Sequence, residues 1–347
     1  MRQISIALMG FGNVGKAFAK LLLRKQAILK SDFDLEIIVT GIATGSHGSA
    51  INSAGVNLNR ALELIESGYP LTTLCENGQN FNGEAFINAC SAEFLVESTP
   101  LNPFDGQPAL SYLKSALNRG KHIVSANKGP VVFGYNELSV LAEKRNKAYF
   151  FESAVMDGAP IFSLFREALP AVEIRAFSGI LNSCTNYLLD LMANGYSFDD
   201  AVLKGQQIGI TETDPSADID GWDASIKVAA LSTVLFGIPI TPQQVDRTGI
   251  RDITAEMIKD ATENGEKWKL ACSAQRQGNH LLSAVVKPQR VNAQSALYNI
   301  NGTSSYVVFE TDVLPGLGIV ETDPGPETTA YGMFADILNI IKKFSYV

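Results

Sequence analysis

The chain has 347 residues, of which 46% are hydrophobic and 18% charged, and its formal net charge is −8. That length exceeds one domain of roughly 100–200 residues, and the apolar content is enough to bury a sizeable core, which excludes a disordered chain. The acidic balance gives no electrostatic footprint for nucleic acid or an anionic membrane, and no apolar run approaches the ~20 residues of a membrane span.

In chain order, residues 4–9 read as a short apolar strand and residues 16–30 as an amphipathic helix. The strand follows Met1-Arg2-Gln3 directly and ends in glycines, so no signal peptide is expected and the cytoplasm is the expected location. Residues 35–42 read as a second strand and 57–67 as a helix. Short apolar strands are expected at 94–97, 123–125 and 149–151, with helices at 108–119 and 136–146 between them. Strands alternating with helices predict a parallel sheet with right-handed crossovers.

After about residue 152 the texture changes. Helices are expected at 159–169, 186–192, 198–208, 223–236 and 253–262, and strand patterns from 268 to 291. A last helical pattern covers 328–342. The expected fold class is therefore α/β: a Rossmann-type nucleotide domain over residues 1–151, and an α+β catalytic and dimerisation domain over 152–324. The segment from about 325 to 347 is expected to return to the first domain. The four cysteines, Cys75, Cys90, Cys184 and Cys272, are scattered with no CxxC pair, so neither a disulfide framework nor a zinc site is expected.

Gly10-Phe11-Gly12-Asn13-Val14-Gly15 matches GxGxxG directly after the first strand and at the start of the first helix. Gly10 permits the tight turn. Gly12 lets the backbone approach a pyrophosphate. Gly15 allows the helix to pack closely on the strand. A tight turn with no ligand is the plainer alternative. An NAD enzyme should carry an acid at the end of its second strand for the ribose 2′-hydroxyl. Here that strand runs into Thr44-Gly45-Ser46-His47-Gly48, with neither an acid nor a Lys or Arg. NADP is the expected cofactor, with NAD also accepted; Ser46 or His47 could hydrogen-bond a 2′-phosphate.

Residues 210–227 hold five carboxylates between Glu212 and Asp223. Pro215 and Gly221 are expected to make most of the segment a loop, with Asp220 as the N-cap of the next helix and Asp223 in its first turn. Capping accounts for two of the acids and leaves Glu212 and Asp218 unexplained. Asp223 and Lys227 stand four residues apart, so they share a helix face. An ordinary surface pair is the bland reading; the apolar run Val228-Ala229-Ala230-Leu231 instead suggests a half-buried helix with a tuned lysine. A second lysine, Lys128, follows a short strand at the edge where parallel sheets bind ligands. Glu97-Ser98-Thr99-Pro100 ends the neighbouring strand at the same edge.

Together these segments resemble homoserine dehydrogenase. The resemblance rests on GFGNVG at 10–15, SANKGPVV at 125–132, ESAVMDGAPI at 152–161, SGILNSCTNYLLDLM at 178–192 and ITETDPSADIDGWDASIK at 210–227, and it runs to about residue 342. It implies interconversion of homoserine and aspartate semialdehyde in threonine, methionine and isoleucine biosynthesis. The short form is expected, without an ACT domain or fused aspartokinase, acting as a homodimer. On this resemblance Lys227 exchanges a proton with the substrate oxygen. Lys128 is a second active-site lysine touching cofactor and substrate, and Asp218 is a further active-site acid. Glu212 and Asp223 bind the substrate ammonium. Cofactor contacts fall on Gly10, Phe11, Gly12, Asn13, Val14, Gly15, Thr99, Lys128, Gly325 and Glu327. A monovalent cation, Na+ or K+, is expected at Glu152, Val155, Asp157 and Ala159, largely through backbone carbonyls.

Two departures stand out. This chain has Ser183-Cys184 where the family usually has a Gly-Thr pair, and Met156-Asp157 where it often has Gly-Gly. The first suggests altered packing; the second puts an extra carboxylate into the cation loop. Two rivals stand beside this reading. Aspartate semialdehyde dehydrogenase acts through a nucleophilic cysteine with a base, and Cys184 superficially fits it. A non-catalytic dinucleotide sensor would need no lysine–carboxylate set.

Overall fold

The computed structural model describes residues 1–211, 213–278 and 282–345. The chain divides into two compact units, Met1–Pro160 with Gly325–Val347, and Ile161–Pro324. The division falls later than the change of texture near residue 152.

The first unit begins with β1 (Arg2–Met9), α1 (Asn13–Phe33), β2 (Leu35–Ala43) and β3 (Ser49–Ile51). It continues through α2 (Leu58–Glu66), α3 (Gly83–Ala89), β4 (Phe94–Glu97), α4 (Ala109–Asn118), β5 (His122–Ser125), α5 (Lys128–Lys144) and β6 (Tyr149–Phe150). The six strands form one sheet in the order β3-β2-β1-β4-β5-β6, parallel except for β3. β1 sends the chain to β2 on one side while β4 pairs on its other side, so the strand order reverses at β1. That reversal opens a crevice at the carboxyl ends of the strands. Pairing of Met9 with Glu97, and of Glu97 with Ser125, lines those ends up across three strands.

α5 starts at Lys128, earlier than its apolar periodicity suggests. Asn127 caps it, its side chain accepting the Gly129 amide at 3.0 Å. Pro130 is tolerated because the first helical turn has no use for that N–H.

The second unit contains β7 (Ile174–Ile180), α6 (Ser183–Ala193), α7 (Phe198–Gln207), α8 (Ser216–Ile219) and α9 (Trp222–Leu231). Then come β8 (Asp246–Arg247), α10 (Ala255–Glu263), β9 (Glu266–Arg276), β10 (Leu282–Asn292), β11 (Ser305–Thr311) and β12 (Leu317–Glu321). Its sheet runs β12-β11-β7-β9-β10-β8 and is antiparallel except for the short β8–β10 pair. Phe177 of β7 stacks on Phe236 at 5.7 Å and approaches Phe309 of β11 at 6.3 Å, closing an aromatic core over this sheet.

The helix expected at 159–169 forms over residues 162–168 and is wound wide: Leu164–Ala168 is π-helical, and the Leu169 amide reaches the Leu164 carbonyl. β7, β11 and β12 were not expected. The acidic segment is also more ordered than a loop, since Ser216–Ile219 forms α8.

The chain ends in α11 (Pro326–Ser345), which belongs to the first unit. Ala330, Met333, Ile337 and Ile340 recur at three- and four-residue spacing and are fully or almost fully buried, in one core with Phe18 and Leu22 of α1. No described helix is long and apolar enough to cross a membrane.

Candidate active site

In the first unit the three glycines of the loop answer to different constraints. Gly10 has φ +100°, and a Cβ there would sit 2.6 Å from the Ser98 carbonyl oxygen. A Cβ at Gly15 would sit 2.5 Å from the Gly10 oxygen. The protein's own packing therefore demands both. Gly12 differs: a Cβ there would meet nothing within 4 Å. It is the N-cap of α1 but offers no side-chain cap, and the first turn carries no acid. An open approach to a bare, positive helix end fits a pyrophosphate.

At the same edge, Glu97 is completely buried. Its carboxylate accepts from Ser125 Oγ at 2.6 Å, from the Thr99 amide at 2.7 Å and hydroxyl at 2.5 Å, and from Asn127 Nδ2 at 3.3 Å. Burial pushes its pKa up, and these four donors work against that rise. The network ties the end of β4 to the start of α5. It thereby fixes the backbone on which Thr99 and the half-buried Lys128 stand.

The turn before α11 is held by side-chain hydrogen bonds. Asp157, at φ +37°, turns its carboxylate toward the start of the helix, with Thr329 Oγ1 at 3.0 Å and Thr328 Oγ1 at 3.3 Å. The same hydroxyls reach the Gly325 carbonyl, and Ser153 Oγ donates to the Thr329 carbonyl at 2.7 Å. Among the described residues no three His, Cys, Asp or Glu side chains gather as a metal set. In the Glu152–Val155–Asp157–Ala159 loop the Asp157 carboxylate is thus engaged by the start of α11. Glu327 is exposed in the first turn of α11, where a negative charge suits the helix end.

The second unit gathers the acidic segment into a compact cluster. β7 ends at Ile180, and Asn182 then caps α6. Gly221, at φ +77°, swings the chain from α8 into α9, so Asp218 and Asp223 come from two different helices. Asn182 Nδ2 donates to Asp218 Oδ1 at 2.7 Å and to Asp223 Oδ2 at 2.9 Å. Lys227 Nζ lies 3.2 Å from Asp223 Oδ2 and donates to the Leu181 carbonyl at 2.7 Å. The side chains of Lys227 and Asp223 are only 16% and 20% exposed, so this is no surface pair. Glu212 lies outside the described residues.

Asp220 is not the expected N-cap. Gly221 holds that position, and the Asp220 carboxylate instead takes a two-point grip from Arg251, with Nε at 2.9 Å and Nη2 at 3.0 Å.

The homoserine dehydrogenase family model matches residues 160–338. An NAD(+)-dependent homoserine dehydrogenase of Pseudomonas canavaninivorans is 32% identical over 98% of this chain and 97% of its own length. A homoserine dehydrogenase of Methanocaldococcus jannaschii is 34% identical over 97% of this chain and 98% of its own. The chain belongs to the homoserine dehydrogenase family. It is thus an NAD(P)-dependent oxidoreductase with the α/β fold described above. Among solved structures, a hyperthermophilic archaeal homoserine dehydrogenase in complex with NADPH superposes with TM-score 0.83 at 29% identity, covering 99% of this chain and 98% of that one. The Thermoplasma acidophilum homoserine dehydrogenase gives 0.82 at 26% identity, covering 98% and 100%.

The thiol chemistry of the rival reading finds no support at Cys184. Its Sγ is buried and meets the Thr211 hydroxyl at 3.3 Å. Burial, then the negative charge of Asp218, push the thiol up to about 12, far from a thiolate at neutral pH. Asn182 is the residue that sequence reasoning missed. Its signal was an Asn three residues before Thr185 at a helix start, which reads as a cap and says nothing of the carboxylates.

Proposed function

We propose that the chain oxidises homoserine to aspartate semialdehyde, and reverses that reaction, with Lys227 as the proton-transferring group. The observation that carries this reading is the Asp218–Asn182–Asp223–Lys227 cluster: two carboxylates and one amine, held in place and mostly removed from solvent. Asp218 and Asp223 supply negative charge for a substrate ammonium, and Glu212 adds to it on the family pattern. As that ammonium reaches Asp223, it competes with Lys227 for the same carboxylate. The lysine then loses part of the charge that keeps it protonated and becomes a base only when substrate is present. The alcohol proton passes to Lys227 Nζ, and the hydride leaves C4 in the same oxidation. The nicotinamide cofactor, when bound, accepts that hydride.

Gly10 to Gly15, Thr99, Lys128, Gly325 and Glu327 are proposed to hold the cofactor. Lys128 adds a second positive charge for the alkoxide that develops on the substrate oxygen. No step requires a cation at the Asp157 loop. The biosynthetic role, the homodimer and the cytoplasmic location implied by the family resemblance belong to the same proposal.

NADP is proposed as the preferred cofactor, with NAD accepted. The loop after β2 bears no acid to repel a 2′-phosphate and no Lys or Arg to reward one. Its polar groups are tied to each other: the His47 amide to Thr44 Oγ1 at 2.7 Å, and Ser46 Oγ to His47 Nδ1 at 2.7 Å. Discrimination should therefore be small. Homoserine oxidation followed by nicotinamide absorbance, with both cofactors side by side, should give a kcat/KM ratio in favour of NADP below roughly 100-fold, under about 3 kcal/mol. A strong preference for NAD would refute the cofactor assignment and leave the substrate assignment standing.

A further inference from the structure

We infer that Asn182 is a positioning residue of the reaction: one amide that clasps Asp218 and Asp223 together without neutralising them. The inference rests on the substrate reading above. All the hydrogen-bonding capacity of this amide is spent. Oδ1 accepts from the Thr185 amide and the Thr185 hydroxyl, both at 2.8 Å. Nδ2 gives one hydrogen to each carboxylate, at 2.7 and 2.9 Å. An amide has two lone pairs and two N–H bonds, so no rotation or flip improves this arrangement. Because Thr185 pins the oxygen toward α6, the nitrogen has to face the acids. Asn182 itself is only 3% exposed.

The choice of a neutral donor has a chemical consequence. Two carboxylates on separate helices repel each other, and something must hold them. A Lys or Arg would hold them and also cancel the charge that a substrate ammonium needs. An apolar residue would take one donor from each of the two half-buried carboxylates. An amide holds them and leaves the described side chains of the cluster with two negative charges against the one positive charge of Lys227. A bound ammonium adds positive charge where negative charge is in excess, which favours a small amino compound bearing an alcohol over an alcohol alone.

Capping and clasping can be separated. Ser and Asp both cap helices about as well as Asn. Ser is too short to reach both acids, and Asp has no N–H to give them at neutral pH. In the full chain, Asn182→Ser should keep the thermal midpoint and the NADPH dissociation constant close to wild type. The KM for homoserine should rise roughly tenfold or more, with a smaller change in kcat. Asn182→Asp adds a negative charge beside Asp223, which holds the proton on Lys227 more tightly. The pH at which oxidation reaches half its maximum should then move up by about one unit. A purely structural cap predicts neither change. A wild-type KM in Asn182→Ser, or a wild-type pH profile in Asn182→Asp, overturns the inference. The wild-type chain, assayed in parallel, separates the two levels: if it does not oxidise homoserine, the substrate reading itself has failed, whereas wild-type turnover in Lys227→Ala would remove only the proton role of that lysine.

Discussion

Lys227→Ala should lower kcat for homoserine oxidation by about 10²–10⁴-fold, the range that a positioned acid–base group supplies. The dissociation constant for NADPH should stay near wild type, because the glycine loop and the α1 N-terminus belong to the other unit. Lys227→Arg sharpens the result. A guanidinium keeps the charge beside Asp223 but does not give up its proton near neutrality. If the lysine only anchored Asp223, arginine would restore turnover. If it moves a proton, arginine should be nearly as inactive as alanine. Substrate binding measured on the inactive variants, by displacement of a labelled homoserine, completes the separation of binding from chemistry.

Lys269→Ala should be the most destabilising single substitution of a charged residue outside the active site. Lys269 lies on β9 with no solvent exposure. Its ammonium donates to Asn186 Oδ1 at 2.8 Å, to Asp190 Oδ1 at 2.9 Å and to the Ile300 carbonyl at 2.6 Å. Burial pulls its pKa down, and Asp190 works against that fall. Asn186 Nδ2 reaches the carbonyls of Ile300 and Gly302, so the hub ties β9 and α6 to the turn before β11. Removing the ammonium takes a donor from the Ile300 carbonyl and Asn186 Oδ1 and leaves the Asp190 charge without its counter-ion, at a cost of about 3–5 kcal/mol. Lys269→Met, which keeps the volume, should fare little better. Pairing it with Asp190→Leu should recover part of the loss, because the uncompensated charge goes too. Urea or thermal unfolding of the four proteins measures this; equal midpoints would refute the role of the hub.

The parts of this molecule that were legible in the sequence are those whose cause is local. Apolar periodicity marks α1 and α11 because each buries one face. The glycine loop is readable because φ +100° at Gly10 and the close packing at Gly15 admit no side chain. Asp223 and Lys227 were readable as a pair because four residues make one helical turn. What was hidden depends on distant partners. β7 is a central strand only because β9 and β11 flank it. Asn182 acts on acids 36 and 41 residues away. Asp220 reads as a cap until Arg251, 31 residues on, claims its carboxylate. Lys269 stands two residues from the half-buried Lys267, and no alternation of residue types marks it as fully buried. The threonine partners of Asp157 lie 171 and 172 residues away and nothing near it in the chain announces them.

The central claim is that this chain moves a hydride from C4 of homoserine to a nicotinamide. Homoserine carrying two deuterium atoms at C4, incubated with the full chain and NADP, tests it directly by mass spectrometry of the reduced cofactor. The expected result is one deuterium per reduced nicotinamide with the wild-type chain, and labelled cofactor formed about 10²–10⁴-fold more slowly with Lys227→Ala. Unlabelled or absent NADPH from a wild-type chain that still binds the cofactor would contradict it.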